Sequence, residues 1–284
     1  MLFSQASCVL ALTTVVVAAP FAENERRWGG WGSGHGRPWW SPSSASSYLE
    51  FGKRFPGGDT AAPTCDLSQA VLPTGTSKST SAIYVSAHAN IASAPTALPA
   101  PAPGLSLSHV AIGRGTQNYT CDLSNATAIP VAVGAVATLF NVSCVAASAP
   151  DLLAQLPAIA LNLPIPTTTN KASAAYQDLS GHHYFTDPTT PFFNLDTPLH
   201  TYGTGAFKKA NSSAAPPSAP LGQHGTGNGS VAWLKLDAKN TAGQIFQEVY
   251  RTTTAGGNPP LVCTDMPAAF EVQYSAAYWL FEQQ

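Results

Sequence analysis

Charge is what this sequence has least of. Asp, Glu, Lys and Arg together make up 10% of its 284 residues, with 13 basic groups against 15 acidic ones. No basic stripe is available to neutralise phosphates, which excludes nucleic acid as a natural partner. Long apolar runs are missing too. A helix needs about 20 consecutive apolar residues to cross a bilayer core, and no stretch reaches that length, so no membrane span is expected. The C-terminal Phe281-Glu282-Gln283-Gln284 offers no hydrophobic tail for a GPI anchor, and a soluble product is expected. Cysteine is sparse, and no Cys-x-x-Cys pair occurs, which argues against a structural zinc site. A Gly-x-Ser-x-Gly elbow for a serine nucleophile is also missing. The carboxylates Asp178, Asp187, Asp196, Asp237, Glu248, Asp265 and Glu271 show no pairing that would nominate a glycosidase dyad.

What is present begins with a leader. Leu10–Leu12 and Val15–Val17 form a short apolar core, followed by the small residues Ala18 and Ala19 and by Pro20. This reads as a cleaved signal peptide over 1–19. Residues 20–54 are of another kind. Trp28, Trp31, Trp39 and Trp40 are scattered among glycines, a serine-rich stretch follows, and neither a helical nor a strand period is visible. The segment is read as disordered. It closes on Lys53-Arg54, a dibasic pair of the type cut by kexin-like proteases, which makes 20–54 a candidate propeptide. The competing expectation is a retained tail whose tryptophans stack on sugars or wall polymers.

Export agrees with the cysteines. Cys8 is lost with the leader, and Cys65, Cys121, Cys144 and Cys263 remain. Four cysteines in an oxidising compartment imply two disulfides, with three possible pairings. Cys121–Cys144 is the expected pair because these residues bracket neighbouring strand candidates. Cys65–Cys263 would then tie the start of the domain to its late strands. Asn118, Asn125, Asn141, Asn211 and Asn228 all sit in Asn-x-Ser/Thr sequons and are the expected glycosylation sites.

Residues 55–284 are long enough for one substantial core, and period-2 patterns dominate them. In AFEVQYSAAYWLF, Phe270, Val272, Tyr274, Ala276, Tyr278 and Leu280 fall on one face, and Glu271, Gln273, Ser275, Ala277 and Trp279 on the other. Because Tyr278 and Trp279 face opposite sides, one of them must leave the core or meet a second layer. Further strand candidates are 107–113, 117–121, 135–143, 231–237 and 245–251. In PDLLAQLPAIALNL the apolar residues recur near helical spacing, but Pro157 would interrupt a helix, so one short helix is expected. Strands without intervening helices predict a single all-β antiparallel domain, a sandwich or a barrel, held by disulfides.

Several phrases together resemble a known family. They are HVAIGRGTQNYTCD (109–122), GAVATLFNVSC (134–144), LSGHHYF (179–185), VAWLKL (231–236), EVYRTTTAGGNPPLVC (248–263) and YSAAYWLF (274–281). The family is secreted, of unknown function and common in filamentous fungi with shorter bacterial relatives, and many members carry the label "malate dehydrogenase". The resemblance implies secretion and a β-rich fold, and supplies no catalytic residues. An acidic or amide residue is usual where this chain has Ala277, so whatever that side chain does in relatives is missing here. The inherited label fails against the residues. A nicotinamide enzyme needs a glycine-rich turn from a strand into a helix. Gly113-Arg-Gly115-Thr-Gln-Asn118 lacks the third glycine and leads into a predicted strand. No cofactor is expected.

The candidate ligand-binding residues are His109, Gln117, Tyr119, His182, His183, Trp233 and Arg251. Histidine is the commonest metal ligand and proton shuttle, but His182 and His183 are neighbours and point to opposite faces of a strand. One of them would need His109 or His200 as partner, and no metal is expected. Arg251 either binds a ligand carboxylate or pairs with Glu248 or Glu271, the structural pairing being preferred. Aromatics recur inside the recognised phrases and suit a sugar or a small apolar ligand. The expected function is a secreted, non-catalytic protein associated with a cell wall or surface, binding wall polysaccharide or a small extracellular ligand. A secreted hydrolase or metal-dependent enzyme built on His109, His182 and His183 is the alternative, and the dehydrogenase comes last.

Overall fold

The structure is a computed structural model and describes residues 65–75, 93–125 and 127–284. The expected leader, the Trp/Gly-rich segment and the dibasic pair lie outside the described residues. Eight strands follow in order: β1 (Leu105–Thr120), β2 (Val131–Asn141), β3 (Leu179–Asp187), β4 (Thr190–Asp196), β5 (Thr201–Ser213), β6 (Trp233–Ala238), β7 (Phe246–Gly256) and β8 (Ala269–Gln283). Each pairs antiparallel with the next, and β8 returns to β1, so the sheet closes into an up-and-down barrel. Closure removes the sheet edges that would otherwise template aggregation. Of the two architectures expected, the barrel is the one formed.

The alternation along β8 sorts its side chains. Tyr274, Ala276, Tyr278 and Leu280 enter the lumen with Ala111, Leu139, Phe193, Phe207, Leu236 and Val249. Ala277, Trp279 and Phe281 point outward and join Val110, Ile112, Trp233 and Tyr250 in a second cluster. That outer cluster is roofed by Ala146 of α1 (Ser143–Ser148), by Leu153, Leu156 and Ala160 of α2 (Pro150–Leu161), and by Ala94 and Leu98 of an N-terminal arm. Trp279 therefore meets the second layer, and its indole N–H donates to Thr252 Oγ1 at 3.0 Å. A further helical turn, α3 (Ala174–Gln177), precedes β3. Among the described residues no helix is long and apolar enough to cross a membrane.

Two expectations of the sequence are corrected. The run Gly113-Arg114-Gly115 does not separate two strands, because β1 passes straight through it. A Cβ on Gly113 would lie 2.5 Å from the Tyr278 ring, and one on Gly115 would lie 1.9 Å from Val136 O. The glycines are there so that neighbouring chain can approach the wall of the barrel closely. The second correction is α2, which runs through Pro157 rather than stopping at it. Pro150 occupies the first turn, where a missing N–H costs nothing. Leu153, Pro157 and Leu161 are the buried residues of the helix, spaced four apart on one face. Burial of that stripe outweighs the hydrogen bond that Pro157 cannot donate.

Arg114 finishes the helix. From the outer face of β1 its Nε donates to Ala160 O at 2.9 Å, and its Nη2 to Leu161 O and Leu163 O at 3.3 Å each. Nη1 donates to Gln273 Oε1 at 2.6 Å. The cation thus meets carbonyls that have no partner within the helix, at the negative end of the helix dipole.

The arm is pinned by polar groups. Lys235 Nζ pairs with Glu248 Oε1 at 2.9 Å and donates to Ala100 O at 2.9 Å. The Tyr250 hydroxyl donates to Pro99 O at 2.8 Å, and Ala102 N to Glu248 at 3.3 Å.

The disulfides are Cys65–Cys144 and Cys121–Cys263, with Cα separations of 4.8 and 5.6 Å. This corrects the expected Cys121–Cys144 and Cys65–Cys263. In an antiparallel pair, the end of β1 faces the start of β2, as Thr120 opposite Val131 shows. Cys121 and Cys144 therefore sit at opposite ends of β2, roughly 30 Å apart at about 3.3 Å per residue. Barrel closure puts β8, and the loop leading into it, beside Cys121 instead. Cys121 N donates to Ala268 O at 2.9 Å.

Candidate functional site

The sequence candidates divide between three places. Gln117, Tyr119, His183 and Arg251 face the lumen toward one end. His109 lies further along it, sharing a 2.8 Å hydrogen bond with Ser180 and resting against Tyr202 at 4.7 Å between ring centroids. His182 is exposed on the outside of β3, and Trp233 is fully buried in the outer layer. His109, His182 and His183 thus do not converge. Among the described residues, no group of three His, Cys, Asp or Glu side chains is placed to hold a metal ion.

Burial controls the histidines. His183 stacks on Phe193 at 4.3 Å, and its Nδ1–H donates to Phe192 O at 3.0 Å. Burial lowers its pKa from 6.5 to about 4. His109 is lowered to about 4 as well, by burial first and then by His200. Both rings are neutral at pH 7.

Arg251 pairs with neither Glu248 nor Glu271, which corrects the preferred structural reading. Glu248 is taken by Lys235 on the other face of the wall, and Glu271 is exposed. Nε and Nη2 of Arg251 instead donate to Ala232 O at 3.3 and 2.9 Å. The Tyr278 hydroxyl lies beside the guanidinium and shares a 2.9 Å hydrogen bond with the Tyr274 hydroxyl. Burial holds both tyrosines above their usual pKa, so neither supplies a negative charge. Tyr119 donates to Gly257 O at 2.7 Å.

A second place was not nominated from the sequence. A groove of about 450 Å³ runs along the outer wall between α2 and the 216–220 segment. Asp151 and Gln155 of α2 form one side and Pro216, Ser218 and Pro220 the other, with Trp233, Thr253 and Thr254 among the remaining lining residues. Thr253 stands at φ +47°, in a β-bulge of the β7–β8 ladder between Thr252 and Ala255. Left-handed backbone at a β-branched residue is strained and persists only where its surroundings impose it. The available signal was the run Thr252-Thr253-Thr254 leading into Gly256-Gly257, since bulges collect beside sites and re-aim side chains.

The glycines of β1 also bear on the dehydrogenase label. Gly113 and Gly115 lie inside a 16-residue strand, with no helix N-terminus after them to receive a pyrophosphate.

The family model described as "Protein of unknown function (DUF3455)" matches residues 101–282, from just before β1 almost to the end of β8. The chain belongs to this family. The DUF3455 segment holds β1 to β7, all but the last residue of β8, the groove and the Cys121–Cys263 disulfide, while Cys65 lies outside it. No curated protein and no solved structure matches the chain.

Proposed function

We propose that the chain is an extracellular, non-catalytic binding protein of a cell wall or surface, and that the groove beside α2 holds its ligand, a stretch of neutral polysaccharide. The observation carrying this reading is the groove itself. About 450 Å³ of concave surface brings a carboxylate, a carboxamide and the hydroxyls of Ser218 and the strained Thr253 to one place. Those groups match the donors and acceptors of sugar hydroxyls. No charge cluster sits there to demand an ionic ligand.

Export and glycosylation belong to the same reading. Two disulfides suit an oxidising compartment. Four of the sequon residues, Asn125, Asn141, Asn211 and Asn228, are exposed, whereas Asn118 is half-buried in β1. Processing at Lys53-Arg54 would leave the barrel and its arm as the mature protein.

Co-sedimentation of the secreted protein with β-glucan, chitin and cellulose tests the proposal. One polymer should retain it, and Ser218→Trp on the exposed rim should weaken retention about tenfold or more without shifting the unfolding midpoint. Retention unaffected by the tryptophan, or no retention by any polymer, refutes the assignment.

A further inference from the structure

Three cations are buried in the barrel wall, and they are compensated differently. Arg114 meets the carbonyl end of α2 and Gln273. Lys235 has the Glu248 carboxylate at 2.9 Å. Arg251, 9% exposed, has no carboxylate within ion-pair distance among the described residues. Its Nε and Nη2 both donate to one carbonyl, Ala232 O, and the neutral Tyr278 hydroxyl is its other partner, although a guanidinium offers five N–H donors. A buried charge left without a counter-charge is costly enough that proteins rarely leave one so.

The groups around Arg251 do not supply that counter-charge. Tyr274 and Tyr278 hydrogen-bond to each other, the Tyr119 hydroxyl is committed to Gly257 O, and the His183 Nδ1–H to Phe192 O. One more donor faces the same region. The Gln117 amide lies beside the Tyr274 hydroxyl, is 7% exposed, and its Nε2 is buried with no partner at hydrogen-bonding distance. Gly257 brings its backbone against this end of the lumen. A Cβ there would lie 2.9 Å from Tyr274 Cβ and 3.1 Å from Gln117 Cγ. The lumen thus gathers an uncompensated cation and an unused amide donor around a tyrosine pair, in a setting of low dielectric where an anion would be held strongly.

We propose that the lumen of the barrel binds one small monovalent anion, a halide, nitrate or formate, between the Arg251 guanidinium and the Gln117 amide. Tyr274, Tyr278, Tyr119 and His183 surround these donors with large side chains, so only a compact ion could be admitted, while a bulky organic acid would have to displace the aromatic packing. The site is independent of the outer groove, so polysaccharide binding and anion binding stand or fall separately.

The test is thermal unfolding at constant pH and ionic strength, with protein passed through denaturant into sodium gluconate, whose anion is too large to enter. Replacing gluconate by chloride, bromide, nitrate or formate should raise the midpoint with the logarithm of anion concentration, by about 5 °C over two decades. Arg251→Met should abolish the dependence and Gln117→Leu should reduce it. A midpoint that follows only ionic strength, or one whose anion dependence survives Arg251→Met, overturns the proposal. If Arg251→Met does not fold, crystals of the unaltered protein grown in bromide decide the matter. An anomalous peak beside Arg251 and Gln117 supports the site, and an empty lumen with bromide elsewhere refutes it.

Discussion

Lys235 and Arg251 lie on adjacent strands, are buried to nearly the same degree, and point to opposite faces of the barrel wall. On the outer face, Lys235 pairs with Glu248, and Lys235, Glu248 and Tyr250 fasten the arm through Ala100, Ala102 and Pro99. On the inner face, Arg251 has a single carbonyl and a pair of hydroxyls already bonded to each other. The outer polar groups serve as fasteners, because the cation there is answered by a carboxylate from within the chain. The inner ones are arranged as a receptor would be, with donors in excess of acceptors.

The sharpest way to break this contrast is to strand the outer cation. Glu248→Ala leaves Lys235 buried and unpaired and should cost about 3–5 kcal/mol in urea denaturation. The paired replacement Lys235→Met with Glu248→Leu should cost much less, because it removes the charge together with its partner. If Glu248→Ala costs under about 1 kcal/mol, the outer cluster is no fastener and the comparison loses its first half.

Acid sharpens the inner half. His109 and His183 are held near pKa 4 in the fold, against 6.5 when exposed. The unfolded chain therefore binds more protons between those values. Stability is complete above about pH 6.5 and is lost as pH falls toward 4, by at most about 3 kcal/mol for each histidine. His183→Phe keeps the stack on Phe193 and removes one titrating group, so the fall in urea midpoint between pH 7 and 4 should be roughly halved. An unchanged slope would show that His183 is charged within the lumen.

The smallest effect runs the other way. Thr253→Gly relieves the left-handed backbone at φ +47° and should stabilise the protein by about 0.5–1 kcal/mol. If the strain serves the groove, the same change weakens retention by polysaccharide. Stabilisation with unchanged retention would leave Thr253 without a part in binding.

Much of the barrel was legible because β8, β7 and the ends of β1 carry clean period-2 patterns. β4 and β5 were not read as strands. The β5 stretch Lys208-Lys209-Ala210-Asn211-Ser212 is polar and exposed, and only pairing with β4 and β6 makes it a strand. Barrel closure was not legible either, since a strand does not announce which distant strand it will meet. That is why the disulfide pairing went wrong. Among the candidate residues, Arg251, Gln117, Tyr119 and His183 were found because their residue types are unusual in such a chain. The groove was missed because Asp151, Gln155 and Ser218 are ordinary surface residues, brought together only when α2 lies down on the wall.

The seam between β1 and β8 has a temporal consequence. The two strands pair along their whole length, from Leu105 opposite Gln283 to Thr120 opposite Ala269, and a disulfide spanning 142 residues locks one end. The first strand cannot find its last partner until β8 has been synthesised. Until then β1 and β7 are open edges, and contacts so distant in sequence form slowly. Assembly of the barrel thus waits for β8, and oxidation of Cys121 with Cys263 records that the ring has been completed.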